Sequence, residues 1–422
     1  MPSSTDSEHV SPGRLGCRLT FEFSGTSVGN RFLKSSMGER MASFSEADIS
    51  RRGIPSVELV NLYRHWGEGN IGLIITGNVM INCAHLVSAG DTIIPVDAPL
   101  EGLRFDRFSD IALEAKRHGS LVIAQLCHPG RGNFGTDFGK SRPATKEDIE
   151  HIVKGFAHAA AYAESAGFDG IQLQSAHGHL LSQFLSPRTN KRQDSYGDNM
   201  KNRMRLISEI REPISEQVAK DFIVGIKVNI VEFQESAFGF EEADPLSIAL
   251  EQKCFDFVEL SGGTYEDWTM HRKHIASIQQ SEAIFLEIAK LYSRRMNHTR
   301  IYVTGRLRSI RGMVRALDKV DGIGLARPLC QEPHLCSQLL TGGVTSASAI
   351  KIDMNDFHHT SVTALIQVKH MGRGLQPIDL GSKKDVDRLY KAIIEHERTR
   401  FRVSAPVPIL RGDAKPVLVQ LK

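Results

Sequence analysis

Along the 422 residues, apolar and polar positions fall into a recurring two-part pattern. Short runs of β-branched and other apolar residues end in Gly, Asn or Ser. Each run is followed by a stretch with the period of an amphipathic helix. The runs predict strands over Arg31–Met37, Gly72–Thr76, Leu121–Gln125, Gly170–Leu173, Ile223–Val228, Phe255–Leu260, Ile301–Thr304 and Gly322–Leu325. The periodic stretches predict helices over Ser56–Gly67, Asp106–His118, Glu147–Ala166, Asn199–Ile214, Asp244–Glu251, Glu282–Tyr292, Ser309–Leu317 and Glu332–Leu340. Thr145 and Asp148 have the spacing of a capping box, and Gly119 and Gly167 stand where helices stop.

Strands alternating with helices over about 310 residues predict an α/β fold, a (β/α)8 TIM barrel. A doubly wound open sheet is the rival, but no G-x-G-x-x-G turn follows the first strand. After Gly343 the alternation ends. Two amphipathic helices, Thr360–Met371 and Lys383–Arg402, and a Pro-broken tail form a C-terminal helical extension. The expected organisation is a polar N-terminal segment (1–28), the barrel (29–345) and the extension (346–422).

Composition narrows the function classes. Apolar residues make up 41% and charged residues 24%, as in globular proteins. The net charge of +3 is too small for a nucleic-acid binder, although residues 346–422 alone carry +5 and the rest −2. The six cysteines (Cys17, Cys83, Cys127, Cys254, Cys330, Cys336) form no C-x-x-C and read as reduced thiols. No apolar run is long enough to span a membrane, and Met1 to Gly16 lacks the apolar core of a secretory signal, so a cytoplasmic location is expected.

In barrels of this kind, chemistry sits at the C-terminal strand ends, with phosphate often held after strands 7 and 8. There the chain reads Thr304-Gly305-Arg306 and Ala326-Arg327-Pro328. Small residues let the backbone approach an anion, and Arg supplies a planar fork for it. Lys227 interrupts an apolar strand, so it faces a polar cavity or a buried ion-pair partner. Gln125 ends the third strand, followed by His128 and Arg131. Ser35-Ser36-Met37-Gly38 ends the first and suits a planar ligand lying against the backbone. Gln174, His177 and His179 crowd the end of the fourth. No Asp, Glu or Cys completes a metal ligand set, so no metal is expected; the three side chains suit hydrogen bonding to a substrate oxygen as negative charge develops.

The stretch Gly167 to Arg205 carries Ala176-His177-Gly178, Gln183-Phe184-Leu185-Ser186-Pro187, Thr189-Asn190, Arg192, Asp194, Tyr196-Gly197 and Asn202-Arg203-Met204-Arg205. With Asn30-Arg31, Gln125-Leu126, His128, Gly130-Arg131 and Ala326-Arg327-Pro328, it resembles the signature of the old yellow enzyme family, in the NADH oxidase-like branch. The resemblance implies an FMN-dependent oxidoreductase. NADH or NADPH would reduce FMN, and hydride or electrons would pass to an α,β-unsaturated carbonyl, a quinone or oxygen. It assigns Ser36, Met37, Gly38 and Asn78 to the flavin ring, Gln125 to its pyrimidine edge, and Lys227, where the family usually has Arg, to its N1–C2=O edge. Gly305, Arg306, Ala326 and Arg327 take the phosphate. Gln174 and His177 occupy the substrate-oxygen pair, and His179 stands at the usual Tyr proton donor. A nicotinamide nucleotide and a small-molecule acceptor are the implied partners, and a homo-oligomer is compatible with the sequence. The departures at Gln174 and His179 motivate the alternative, a flavin-binding barrel with weak or no ene-reductase turnover that serves as a binding or interaction protein. A third reading is a flavin-free aldolase-type barrel with Lys227 as a Schiff-base lysine.

Overall fold

Each predicted apolar run forms a strand whose side chains alternate between the inside and outside of one closed sheet. The structure, a computed structural model, describes residues 10–132, 142–229, 239–261, 282–305, 307–354 and 356–400. After the short strands β1 (Leu19–Thr20) and β2 (Ser27–Val28) come β3 (Phe32–Lys34), β4 (Leu73–Met80), β5 (Thr92–Ile93), β6 (Leu121–Cys127), β7 (Gly170–Ser175), β8 (Ile223–Asn229), β9 (Phe257–Ser261), β10 (Arg300–Thr304) and β11 (Gly322–Leu325). The sheet runs β3-β11-β10-β9-β8-β7-β6-β4-β5, and the further pairing of β3 with β4 closes it. All neighbours in the ring are parallel, and β5 is a short addition outside it. The predicted eight-stranded barrel is therefore the observed fold.

The helices around the ring are α1 (Val57–Gly67), α2 (Gly102–Lys116), α3 (Lys146–Ser165), α4 (Leu180–Leu185), α5 (Met200–Arg203), α6 (Arg205–Gln217), α7 (Gly239–Gln252), α8 (Glu282–Ser293), α9 (Ile310–Ala316), α10 (Pro328–Gln331) and α11 (Leu335–Leu340). The capping box of Thr145 and Asp148 starts α3. Gly167, with φ of 90°, ends it, and Phe168 N–H reaches back to the Ala163 carbonyl at 3.0 Å. The helix predicted over Asn199–Ile214 is two pieces divided at Met204. The stretch predicted as Glu332–Leu340 is helical only over its second part, as α11, and the short α10 precedes it.

Inside the barrel the lower layer is apolar. Leu33, Leu73, Ile75, Ile123, Ile223, Phe257 and Tyr302 meet there. Two glycines make room for the rings: a Cβ on Gly225 would lie 2.2 Å from Phe257, and one on Gly322 would lie 2.2 Å from Tyr302. The antiparallel pair β1–β2 closes this end from below, with Leu19, Phe21 and Val28 joining the same cluster and Phe21 packing on Phe257 at 5.8 Å between centroids. The hairpin falls within the stretch read as a polar leading segment; its alternate residues are buried because the barrel floor needs an apolar cover.

Beyond the barrel, α12 (Phe357–Gly372) and α13 (Lys383–Arg400) form the extension. Ile352, Ile366, Ile378, Leu380, Val386, Leu389 and Ile393 make its own small core. It is fastened to the barrel at α1, where Asn61 Nδ2 donates to the Gly372 carbonyl at 2.8 Å. No helix of the described residues is long and apolar enough to cross a membrane.

Candidate active site

Above the apolar floor the inward positions turn polar, and their side chains form one hydrogen-bonded network. Lys227 on β8 and Glu259 on β9 are register partners, both buried, with Nζ 2.9 Å from Oε1. Ser35 Oγ accepts from Lys227 at 2.9 Å and donates to Glu259 at 2.5 Å, and Thr304 Oγ1 donates to the same carboxylate at 2.7 Å. Burial pushes the Glu259 carboxyl up, but Lys227 and the donors from Ser35, Thr304 and Gln172 outweigh it and hold the group below the usual glutamate value.

The carboxylate also sets the direction of the amides. It only accepts, so Gln172 must turn Nε2 toward it, at 2.9 Å. Gln172 Oε1 then faces Gln125 Nε2 at 2.6 Å, which leaves Gln125 Oε1 to accept from Ser36 Oγ at 2.7 Å and from Gln174 Nε2 at 3.3 Å. Gln174 Oε1 takes the Ala176 N–H at 3.2 Å. The amide of Gln174 is thus tied into the floor of the mouth, beside Gln125 and in register with Lys227.

His177 follows in a left-handed conformation, φ 58°, continued by Gly178 at 76°. That region is costly for a residue with a Cβ. The turn sends the ring past β8 to Ser261 on β9, with Nε2 3.1 Å from Oγ. His179 caps α4. Burial and the Lys227 charge lower the His177 imidazole well below its ordinary range and His179 to about 4, so both are neutral at pH 7. His128 is lowered to about 3, by burial and then by His85, whose Nδ1 lies 3.1 Å from its Nε2. The Gly130 N–H points at His128 Nδ1 (3.1 Å), so the proton sits on Nε2 and is directed at His85.

On the β3 side, Ser36 and Met37 are half-buried and Gly38 is exposed, where an added Cβ would touch nothing. Met37 Sδ lies 3.3 Å from Cys330 Sγ. Asn78 follows an irregularity in β4 and pairs in register with Gln125. Across the mouth, Gly305 follows β10, and Ala326 and Arg327 follow β11. Arg327 Nη1 donates to Thr360 Oγ1 of α12 at 2.7 Å. Arg306 lies outside the described residues.

The predicted residues therefore fall into two groups around one mouth. Gln125, Gln174 and Lys227 come from the adjacent strands β6, β7 and β8; Gly305, Ala326 and Arg327 follow the adjacent strands β10 and β11, and Ser36 to Gly38 follow β3. Amides, a hydroxyl and an ammonium on one side, with an arginine and small residues on the other, fit a ligand with a planar polar ring and a phosphate. Glu259, Gln172 and Ser261 were not singled out from the sequence, and Ser35 and Thr304 stood there only as parts of strand-end turns. Glu259 carried the same signal as Lys227, a charge interrupting an apolar run on the next strand.

The family profile described as NADH:flavin oxidoreductase / NADH oxidase matches residues 137–344. An Aspergillus parasiticus protein named NADH-dependent flavin oxidoreductase is 44% identical over 441 residues, 97% of this chain and 98% of that one. A Thermoanaerobacter brockii NADH oxidase is 29% identical over 57% of this chain and 38% of its own length. Among solved structures, the old yellow enzyme homologue from Zymomonas mobilis superposes with a TM-score of 0.63 at 18% identity, over 80% of this chain and 95% of that one. Morphinone reductase in complex with tetrahydroNAD gives 0.61 at 18%, over 79% and 92%. At such identities the two structures speak for the fold alone.

Proposed function

Since this chain belongs to the NADH:flavin oxidoreductase / NADH oxidase family, as an FMN-dependent enzyme that uses NADH or NADPH, we propose how its own residues serve that activity and what they pass electrons to. FMN, when bound, supplies hydride transfer and accepts the nicotinamide's electrons. Its ring would lie over Ser36, Met37 and Gly38 with Asn78 beside it, and its pyrimidine edge would meet Gln125 and Lys227. Gly305, Arg306, Ala326 and Arg327 would take the phosphate. Lys227 is a point charge kept in place by Glu259 and Ser35, available to balance negative charge that builds on the ring edge.

The acceptor is an α,β-unsaturated carbonyl, a quinone or oxygen. His177 would hold the acceptor's oxygen, backed by Ser261. Gln174, whose amide is engaged with Gln125 and Ala176, would support the ring platform as well as this pair. His179, neutral at pH 7, would offer an N–H hydrogen bond there, and would act as an acid only as the pH approaches 4. Six unpaired thiols fit work in a reducing cytoplasm.

The observation that carries this reading is the directed network from Glu259 through Gln172 and Gln125 to Ser36. It fixes which way the Gln125 amide faces the mouth. The test is purification followed by anaerobic reduction. The protein should be yellow and release FMN rather than FAD on denaturation. NADH or NADPH should bleach it, and an enone, quinone or oxygen should restore the colour. Colourless protein that takes up no FMN would refute the reading. Reduction without reoxidation by any of the three would favour the binding-protein alternative, which the engaged Gln174 amide and the neutral His179 motivate.

A further inference from the structure

The extension meets the barrel mouth at a charged group, Arg327. This residue follows the last barrel strand, and its Nη1 donates to Thr360 Oγ1 at 2.7 Å, one turn into α12. Thr360 is 5% exposed. The helix that carries it is held at both ends. Asp356 caps its start, taking the His359 N–H at 3.0 Å, and Asn61 of α1 binds the Gly372 carbonyl at its other end. Thr360 is therefore a fixed acceptor, and α12 lies beyond the span matched by the family profile.

We propose that Thr360 is a positioning residue for the cofactor phosphate: by fixing the Arg327 guanidinium, it makes the C-terminal extension part of the FMN site. This rests on the assignment of Arg327 to the phosphate. A guanidinium is planar, so holding one N–H fixes the direction of the other four. A long Arg side chain otherwise loses rotamer freedom when it grips an anion; one already held loses less, and the ligand binds more tightly. Arg308 and Thr363 line the same cleft beside Arg327 and Thr360. Thr363 is 2% exposed, and its Oγ1 has no partner among the described residues, so it provides an internal comparison one turn along the same helix.

The test uses the full chain, stripped of flavin and titrated with FMN or with riboflavin, which lacks the phosphate. Thr360→Val keeps the side-chain shape and removes the acceptor. It should weaken FMN about 10-fold, the size of one hydrogen bond to a charged group, and leave riboflavin unchanged. Thr360→Ser should restore FMN binding, and Thr363→Val should leave it as in the natural chain. With Arg327→Leu in place, Thr360→Val should have no further effect. Equal weakening of FMN and riboflavin by Thr360→Val, or no weakening of FMN, would overturn the positioning role while leaving the phosphate assignment intact. If Arg327→Leu itself fails to discriminate FMN from riboflavin, the phosphate assignment falls and the inference with it. Should Thr360→Val not fold, the Thr360→Ala and Thr360→Ser pair decides the same way: Ala weakens FMN selectively and Ser does not, or the inference is wrong.

Discussion

At the scale of single residues, the mouth depends on a buried charge pair. Removing one member of such a pair leaves the other uncompensated, at a cost of about 3–5 kcal/mol. Lys227→Met should lower urea stability by that order, and lower the flavin reduction potential as well, because negative charge on the reduced ring loses its cation. Adding Glu259→Gln should recover most of the stability and part of the potential, because it removes the uncompensated carboxylate; an unchanged potential in Lys227→Met itself would place Lys227 outside the flavin's field. A second expectation concerns acid. The folded values of His128 (about 3) and His179 (about 4) lie below the ordinary 6.5. Below pH 6.5 the unfolded chain therefore takes up protons that the folded chain refuses. Their contribution is complete above pH 6.5 and falls as the pH drops toward 4. Urea midpoints at pH 7 and pH 5 should show the decline, and His128→Asn should flatten it. An equally steep decline in that variant would assign the acid sensitivity to other groups.

At the scale of elements, the strands were legible because each run is buried on both faces and reads as continuous apolar sequence. Their interruptions were legible too: Lys227 and the Gln174–His179 cluster stood out where an apolar side chain was expected. What pattern alone does not show is partnership. Lys227 and Glu259 meet because β8 and β9 are neighbours at one register, a fact of the closed sheet and not of either run. Nor does the sequence show that Gln174 turns its amide to Gln125, or that the chain after Arg203 breaks its helix at Met204. Gly225 and Gly322 belong to the same class of hidden fact, since each answers to a ring on a neighbouring strand. Gly225→Ala would drive a methyl into Phe257 and should cost about 1–3 kcal/mol in thermal or urea unfolding. Phe257→Leu in the same chain should restore part of it. A neutral Gly225→Ala would mean that the ring has room to move.

At the scale of the whole molecule, the barrel and extension share the α1 face, and the two-stranded plug shares the barrel's lower core. The motifs that resemble the family cluster around β7 and lie in the barrel, whereas the extension carries none of them and is tied to the mouth through Arg327 and Thr360. The plug has a consequence for traffic. With Phe21 seated on Phe257, the barrel is, among the described residues, a room with one door. On the proposed placement, a nicotinamide that delivers electrons and an acceptor that collects them would both enter by the strand ends where His177 and Lys227 stand, so one visitor would leave before the next arrives. Initial rates measured while both concentrations are varied should then give parallel double-reciprocal lines, with each substrate at high concentration delaying the other. Intersecting lines would mean that both fit through the doorway together.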